Sequence, residues 1–144
     1  MPTTRVSRTV AAAPEDVWRV LADPHSIPRW WPRVSRVEGA DPQRWTHVLY
    51  TAKGRGIRAD FFKTADEPMS RYAWEQQLDG TPFARFLARA EWEARIAPAG
   101  NGTDVTLESR HRLQGWSRFA PFLFKRAMRR QLNEALEGLE RVAG

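Results

Sequence analysis

The sequence contains no cysteine, which excludes disulfides, thiolate metal sites and cysteine nucleophiles, and is compatible with a reducing compartment. It also lacks any apolar run approaching the roughly 20 residues that a membrane-spanning helix needs; the longest candidate, Phe119 to Phe124, is interrupted by Pro121. Near the N-terminus, Val6 to Ala13 is interleaved with polar residues and has no continuous apolar segment of the kind a secretion signal carries. A cytoplasmic protein is expected. Histidine is scarce, at positions 25, 47 and 111 only, with no metal-ligand spacing. Lys53-Gly54-Arg55-Gly56 is too short and wrongly placed for a phosphate loop, and there is no Gly-x-Ser-x-Gly elbow. No metal or cofactor is expected. Acidic residues are in the minority, leaving a net charge of +6. The excess is spread along the chain as arginines beside glutamates, as in Arg89, Glu91, Glu93 and Arg95, without an aromatic-and-basic motif. That pattern is a solvated sheet face, and nucleic acid is not an expected partner.

What is present is 144 residues, 42% hydrophobic, with seven Trp and seven Phe to fill or line an interior. This length suits one domain over residues 1–144. Arg5 to Ala12 alternates, with Val6 and Val10 on one face, and predicts a strand. A helix follows directly. Pro14 suits its first position because the missing N–H has no helical partner there, Glu15 and Asp16 complement the positive helix end, and Val17, Trp18 and Leu21 form an apolar stripe. Asp23-Pro24 opens a short second helical turn that Pro28 and Pro32 keep from lengthening, with Trp30 and Trp31 at its end.

From Val34 to about Leu113 the texture changes to alternating strands. Asp41-Pro42, Gly54-Arg55-Gly56, Asp79-Gly80 and Asn101-Gly102 separate about six of them, the Asp-Gly and Asn-Gly pairs being favoured where a hairpin needs positive φ. In the sixth strand overall, Phe86, Ala88, Ala90, Trp92, Ala94 and Ile96 share an inward face, opposite Arg85, Arg89, Glu91, Glu93 and Arg95. The small alanines leave room there for neighbouring side chains or for a guest. The last element is a helix to Val142, in which Phe124, Met128, Leu132, Ala135, Leu139 and Val142 recur at helical spacing as one apolar stripe. The elements make an α+β arrangement in which the sheet must curl around that helix to bury its stripe.

Three segments taken in order, Ala13-Pro14-Glu15-Asp16-Val17-Trp18 with Leu21-Ala22-Asp23-Pro24, Trp30-Trp31-Pro32, and the Arg- and Leu-rich helix from Lys125 to Leu139, resemble the START-like or SRPBCC superfamily. Within it, the chain is similar to the polyketide cyclase/dehydrase-like group. The resemblance implies a helix-grip fold: a seven-stranded curved antiparallel sheet around the long C-terminal helix, two short helices after the first strand, and a cavity between sheet and helix. Members bind lipids, sterols, hormones, quinones or polyketide intermediates, and some catalyse cyclisation or dehydration. Fold does not choose among these.

The choice rests on inward polar residues. On the seventh strand Ser109 and His111 share a face with Val105, Leu107 and Leu113. His111 is the candidate catalytic group, as a proton donor or acceptor, and Ser109 an orienting group; the alternative is that both are structural. On the fifth strand Gln76 points inward if Tyr72 and Trp74 mark the core face. Lys63 has the phase of Ala59 and Phe61 and is expected to reach solvent at the strand end. Trp74, Phe86, Trp92 and Met128 are expected as apolar wall, and Gln76, Ser109 and His111 as polar groups that orient a small hydrophobic or amphipathic ligand: a lipid, a quinone or a polyketide-like compound. A second expectation is a cyclase, aromatase or dehydratase working in the same cavity. A third is an interaction module on the basic face of the last helix, where Lys125, Arg126, Arg129 and Arg130 precede Glu134, Glu137 and Glu140 against the helix dipole. An acidic membrane surface or an acidic carrier protein would be its partner; a solvated face with Arg126 or Arg130 paired to Glu134 and its neighbours is the alternative.

Overall fold

The computed structural model describes residues 2–144. Strand β1 (Thr3–Val10) leads into helix α1 (Pro14–Leu21), a 3-10 turn (Pro24–Ser26) and helix α2 (Ile27–Trp30). Val6 and Val10 are buried along one face of β1, and Val17 and Leu21 along one face of α1. Pro14 sits in the first turn of α1 beside Glu15 and Asp16. Asp23 caps the 3-10 turn by accepting from the His25 backbone N–H at 3.0 Å and from the Ser26 hydroxyl at 3.2 Å.

Strands β2 (Arg36–Glu38), β3 (Arg44–Tyr50), β4 (Gly56–Glu67), β5 (Arg71–Gln76), β6 (Leu87–Ala99) and β7 (Gly102–Leu113) complete one seven-stranded antiparallel sheet in the order β1-β7-β6-β5-β4-β3-β2. The last strand therefore pairs with the first. The 23-residue helix α3 (Pro121–Ala143) lies in the concavity and buries Leu132, Ala135, Leu136 and Leu139. This is the helix-grip arrangement. Gly138 lets α2 approach closely, because a Cβ at that position would run into the Trp30 carbonyl.

Two details of the sheet differ from the alternation read in the sequence. Leu87 pairs with Leu113 but Arg89 with Arg112, so Ala88 is an extra residue on β6. A bulge of this kind reverses which side chains face inward. Below it Leu87 is inward while Phe86, 49% exposed, and Ala88 turn outward; the inward assignment of Phe86 and Ala88 is corrected accordingly. Above it Ala90, Trp92, Ala94 and Ile96 are buried as expected. At the β6–β7 turn it is Gly100, not Gly102, that takes positive φ (58°). Gly102 is required for a different reason: a Cβ there would collide with the Val10 carbonyl at the end of neighbouring β1.

The outer face is more organised than a solvated surface. Glu93 is buried among Arg71, Arg95 and Arg110, with Arg95 Nη2 at 2.8 Å. Neighbouring Glu91 takes Arg89 and Arg110. Much of the arginine excess on the sheet is thus internally compensated. No helix among the described residues is long and apolar enough to cross a membrane.

Candidate functional site

Between the inner face of the sheet and the first half of α3 lies a cavity of about 260 Å³. Its walls are built by alternation along β3 to β7, interrupted at the bulges of β4 and β6, and the small Ala59 leaves space that larger side chains would fill. Trp74 and Trp92, on adjacent strands, stack with rings 9° apart and centroids at 6.4 Å. Trp31, following α2, sets its ring edge-on to both, at 5.6 Å and 6.5 Å. Phe61 closes the group against Trp92 at 5.7 Å, and Phe124 and Met128 of α3 face it from the other side.

Apart from Arg33, the polar groups in this wall are few and neutral. His111, 2% exposed, contacts Trp92 and Phe124 edge-on, with centroids at 5.0 Å and 4.8 Å. Burial among these rings lowers its pKa to about 4. His47, on β3, is also buried, and burial lowers its pKa to about 3. Trp45 Nε1–H donates to His47 Nε2 at 3.1 Å, which holds the neutral ring as the tautomer with its proton on Nδ1. Trp92 Nε1–H donates to the Gln131 amide oxygen at 3.3 Å. Gln76 lines the cavity, and its Nε2 is buried with no hydrogen-bond partner among the described residues. Arg33, at positive φ (64°), is the cation in the cavity wall, and Glu134 lies 3.7 Å from it.

Of the residues singled out in the sequence, Trp74, Gln76, Trp92, His111 and Met128 are brought together around this cavity. Phe86 is not among them: it precedes β6, at the end of the 3-10 turn Pro82–Arg85, and is 49% exposed. Ser109 is buried and faces inward, but it lies between Thr4 and Trp92 in the register and does not line the cavity; its hydroxyl has no partner among the described residues. Lys63 does not reach freely into solvent: its side chain is 15% exposed and pairs with Asp66 at 2.9 Å. His47, Phe61, Trp31, Arg33 and Gln131 are among the wall residues that sequence reasoning missed. The alternation of Trp45 and His47 on one short strand was the available signal for the histidine. No cluster of three or more His, Asp or Glu side chains suited to a metal ion occurs among the described residues.

A family model described as polyketide cyclase / dehydrase and lipid transport matches residues 1–144. Among curated proteins, the uncharacterized protein Rv2574 of Mycobacterium tuberculosis is 27% identical over 135 residues, covering 92% of this chain and 78% of its own. Among solved structures, the Zhui aromatase/cyclase from a Streptomyces species superposes with a TM-score of 0.79 at 18% identity, over 99% of this chain and 93% of that one. A START superfamily protein from Mycobacterium smegmatis gives 0.77 at 15% identity, over 97% and 96%. At these identities the structural likeness establishes the fold.

Proposed function

This chain belongs to the polyketide cyclase / dehydrase and lipid transport family, and on that footing we propose that its cavity binds a compact, neutral, largely apolar ring compound presenting a hydrogen-bond acceptor, such as a quinone or an aromatic polyketide. The observation that carries this reading is the aromatic box of Trp31, Trp74, Trp92 and Phe61, beside which the wall offers the uncharged polar groups of His47, Gln76, His111 and Gln131, and one cation, Arg33, with Glu134 3.7 Å from it. Flat rings suit edge-on and stacked aromatic walls. The His47 Nδ1–H has no hydrogen-bond partner among the described residues, and the Gln76 amide can donate or accept, so a carbonyl or quinone oxygen would accept from either. A cavity of about 260 Å³ lies near the lower end of the ~300–1,000 Å³ usual for small-molecule sites. It suits one compact ring system better than two acyl chains.

Binding is favoured over catalysis by the state of His111. With a pKa near 4 it is a neutral imidazole at neutral pH, so it is not an imidazolium that can serve as a general acid, and as a base it is weak. Cyclase or dehydratase chemistry would need a stronger proton carrier in this wall.

The test is native mass spectrometry of protein gently purified from its source organism, with release and identification of any adduct, followed by titration with 1,4-naphthoquinone as probe read by tryptophan quenching. Ala59→Leu, which pushes a larger side chain into the cavity, should weaken probe binding at least tenfold with little change in the urea midpoint. Unchanged binding by that variant would place the ligand elsewhere and end this reading.

A further inference from the structure

We propose that the 3-10 turn Gly115–Phe119 and the first two turns of α3 form a docking surface for an anionic phospholipid membrane. Trp116, Phe119, Phe122 and Leu123 are 83%, 69%, 74% and 63% exposed, and outward-turned Phe86 lies beside them. Contiguous exposed apolar groups of this size mark interaction sites. They are held in place and are not a loose end. Gln114 N–H and the Ser117 hydroxyl both donate to the Phe86 carbonyl, Gly115 takes positive φ (60°) where a Cβ would strike the Arg85 carbonyl, and the Trp116 and Phe119 rings lie 6.3 Å apart.

The charge on the same surface names the partner. No acidic residue occurs between Glu108 and Glu134. Arg118 stacks over the Phe119 ring at 4.9 Å, and Lys125, Arg126 and Arg129 surround Phe122. None of these four cations has an ion-pair partner among the described residues, unlike Arg130, which pairs with Glu134 at 3.0 Å. Aromatic side chains interleaved with Lys and Arg are what a lipid headgroup region accommodates: rings enter the interface and cations remain at the phosphates. An acidic soluble protein would satisfy the charges but leave four large apolar side chains without a role. On the reverse side of the same two turns, Phe124 and Met128 line the cavity, so a docked protein would hold its cavity wall against the bilayer.

The experiment is co-sedimentation of the full chain, without added ligand, with phosphatidylcholine vesicles and with vesicles containing phosphatidylglycerol, at low and high salt. Selective binding to the anionic vesicles that weakens with salt is expected. Lys125→Gln with Arg126→Gln should lower the partition coefficient about 30-fold, at roughly fivefold per charge. Trp116→Ser with Phe122→Ser should lower it at least about tenfold with an unchanged thermal melt, since both side chains are exposed. No preference for anionic vesicles by the unaltered protein overturns the proposal. So does binding that the charge variant abolishes and the aromatic variant leaves intact, which would instead describe a surface for an acidic protein. Neither result bears on whether the cavity holds a ring compound.

Discussion

Lowering the pH from 7.5 to 5 brings two buried histidines into conflict with their surroundings. In the unfolded chain His47 and His111 take up protons around the ordinary value of 6.5, whereas burial among aromatic rings holds them at about 3 and about 4 in the fold. The unfolded state therefore binds more protons below pH 6.5. Stability contributed by keeping these rings neutral is complete above pH 6.5 and is lost as the pH falls toward the folded values. At pH 5 each histidine is about 1.5 pH units below its unfolded pKa, which costs about 2 kcal/mol apiece, or about 4 kcal/mol together. That is a large part of the 5–15 kcal/mol typical of a domain. Carboxylates interfere little in this window: Glu38 is held low by hydrogen bonds from Arg36 and Arg58, and Asp41 by the backbone N–H groups of Gln43 and Arg44. Urea unfolding at the two pH values measures the difference directly, and His111→Leu should reduce it by about half. An equal stability at pH 7.5 and pH 5, or a loss that His111→Leu leaves unchanged, would refute the assignment of these rings as buried and neutral.

Two further substitutions separate function from stability. Gln76→Leu removes a buried amide nitrogen that has no protein partner, so it should leave the fold as stable or more stable by about 1 kcal/mol while weakening naphthoquinone binding about tenfold or more, as read by paired denaturation and quenching titrations. Gly138→Ala should do the reverse. Its Cβ would press on the Trp30 carbonyl and drive α2 from α3, costing about 2–3 kcal/mol in a thermal melt, and a melt unchanged within experimental error would show that the contact is not needed.

The sequence by itself determined the order of elements and most of the grip. Period-2 alternation placed Trp74, Gln76, Trp92 and His111 on inner faces, and helical spacing placed Leu132, Ala135 and Leu139 against the sheet. These are consequences of local geometry, in which each residue's direction follows from its neighbours along one strand or helix. The exceptions begin where a single residue is added or where distant segments meet. One extra residue at Ala88 put Leu87 inward in place of Ala88, Phe86 fell into a 3-10 turn before the strand, and alternation contains no warning of either. His47 joined the wall because β3 pairs with β4 and faces Phe61, and Trp31 because α2 is drawn against α3 at Gly138. Ser109 is buried on the inner face as its alternation indicates, yet it does not line the cavity. The stripe of α3 looked continuous from Phe124 to Val142, yet its first turns reach beyond the buried core, so their inner side lines a cavity and their outer side presents aromatics and bases. Periodicity fixes which way a side chain points; only tertiary structure decides whether protein, an open cavity or solvent lies at the end of it.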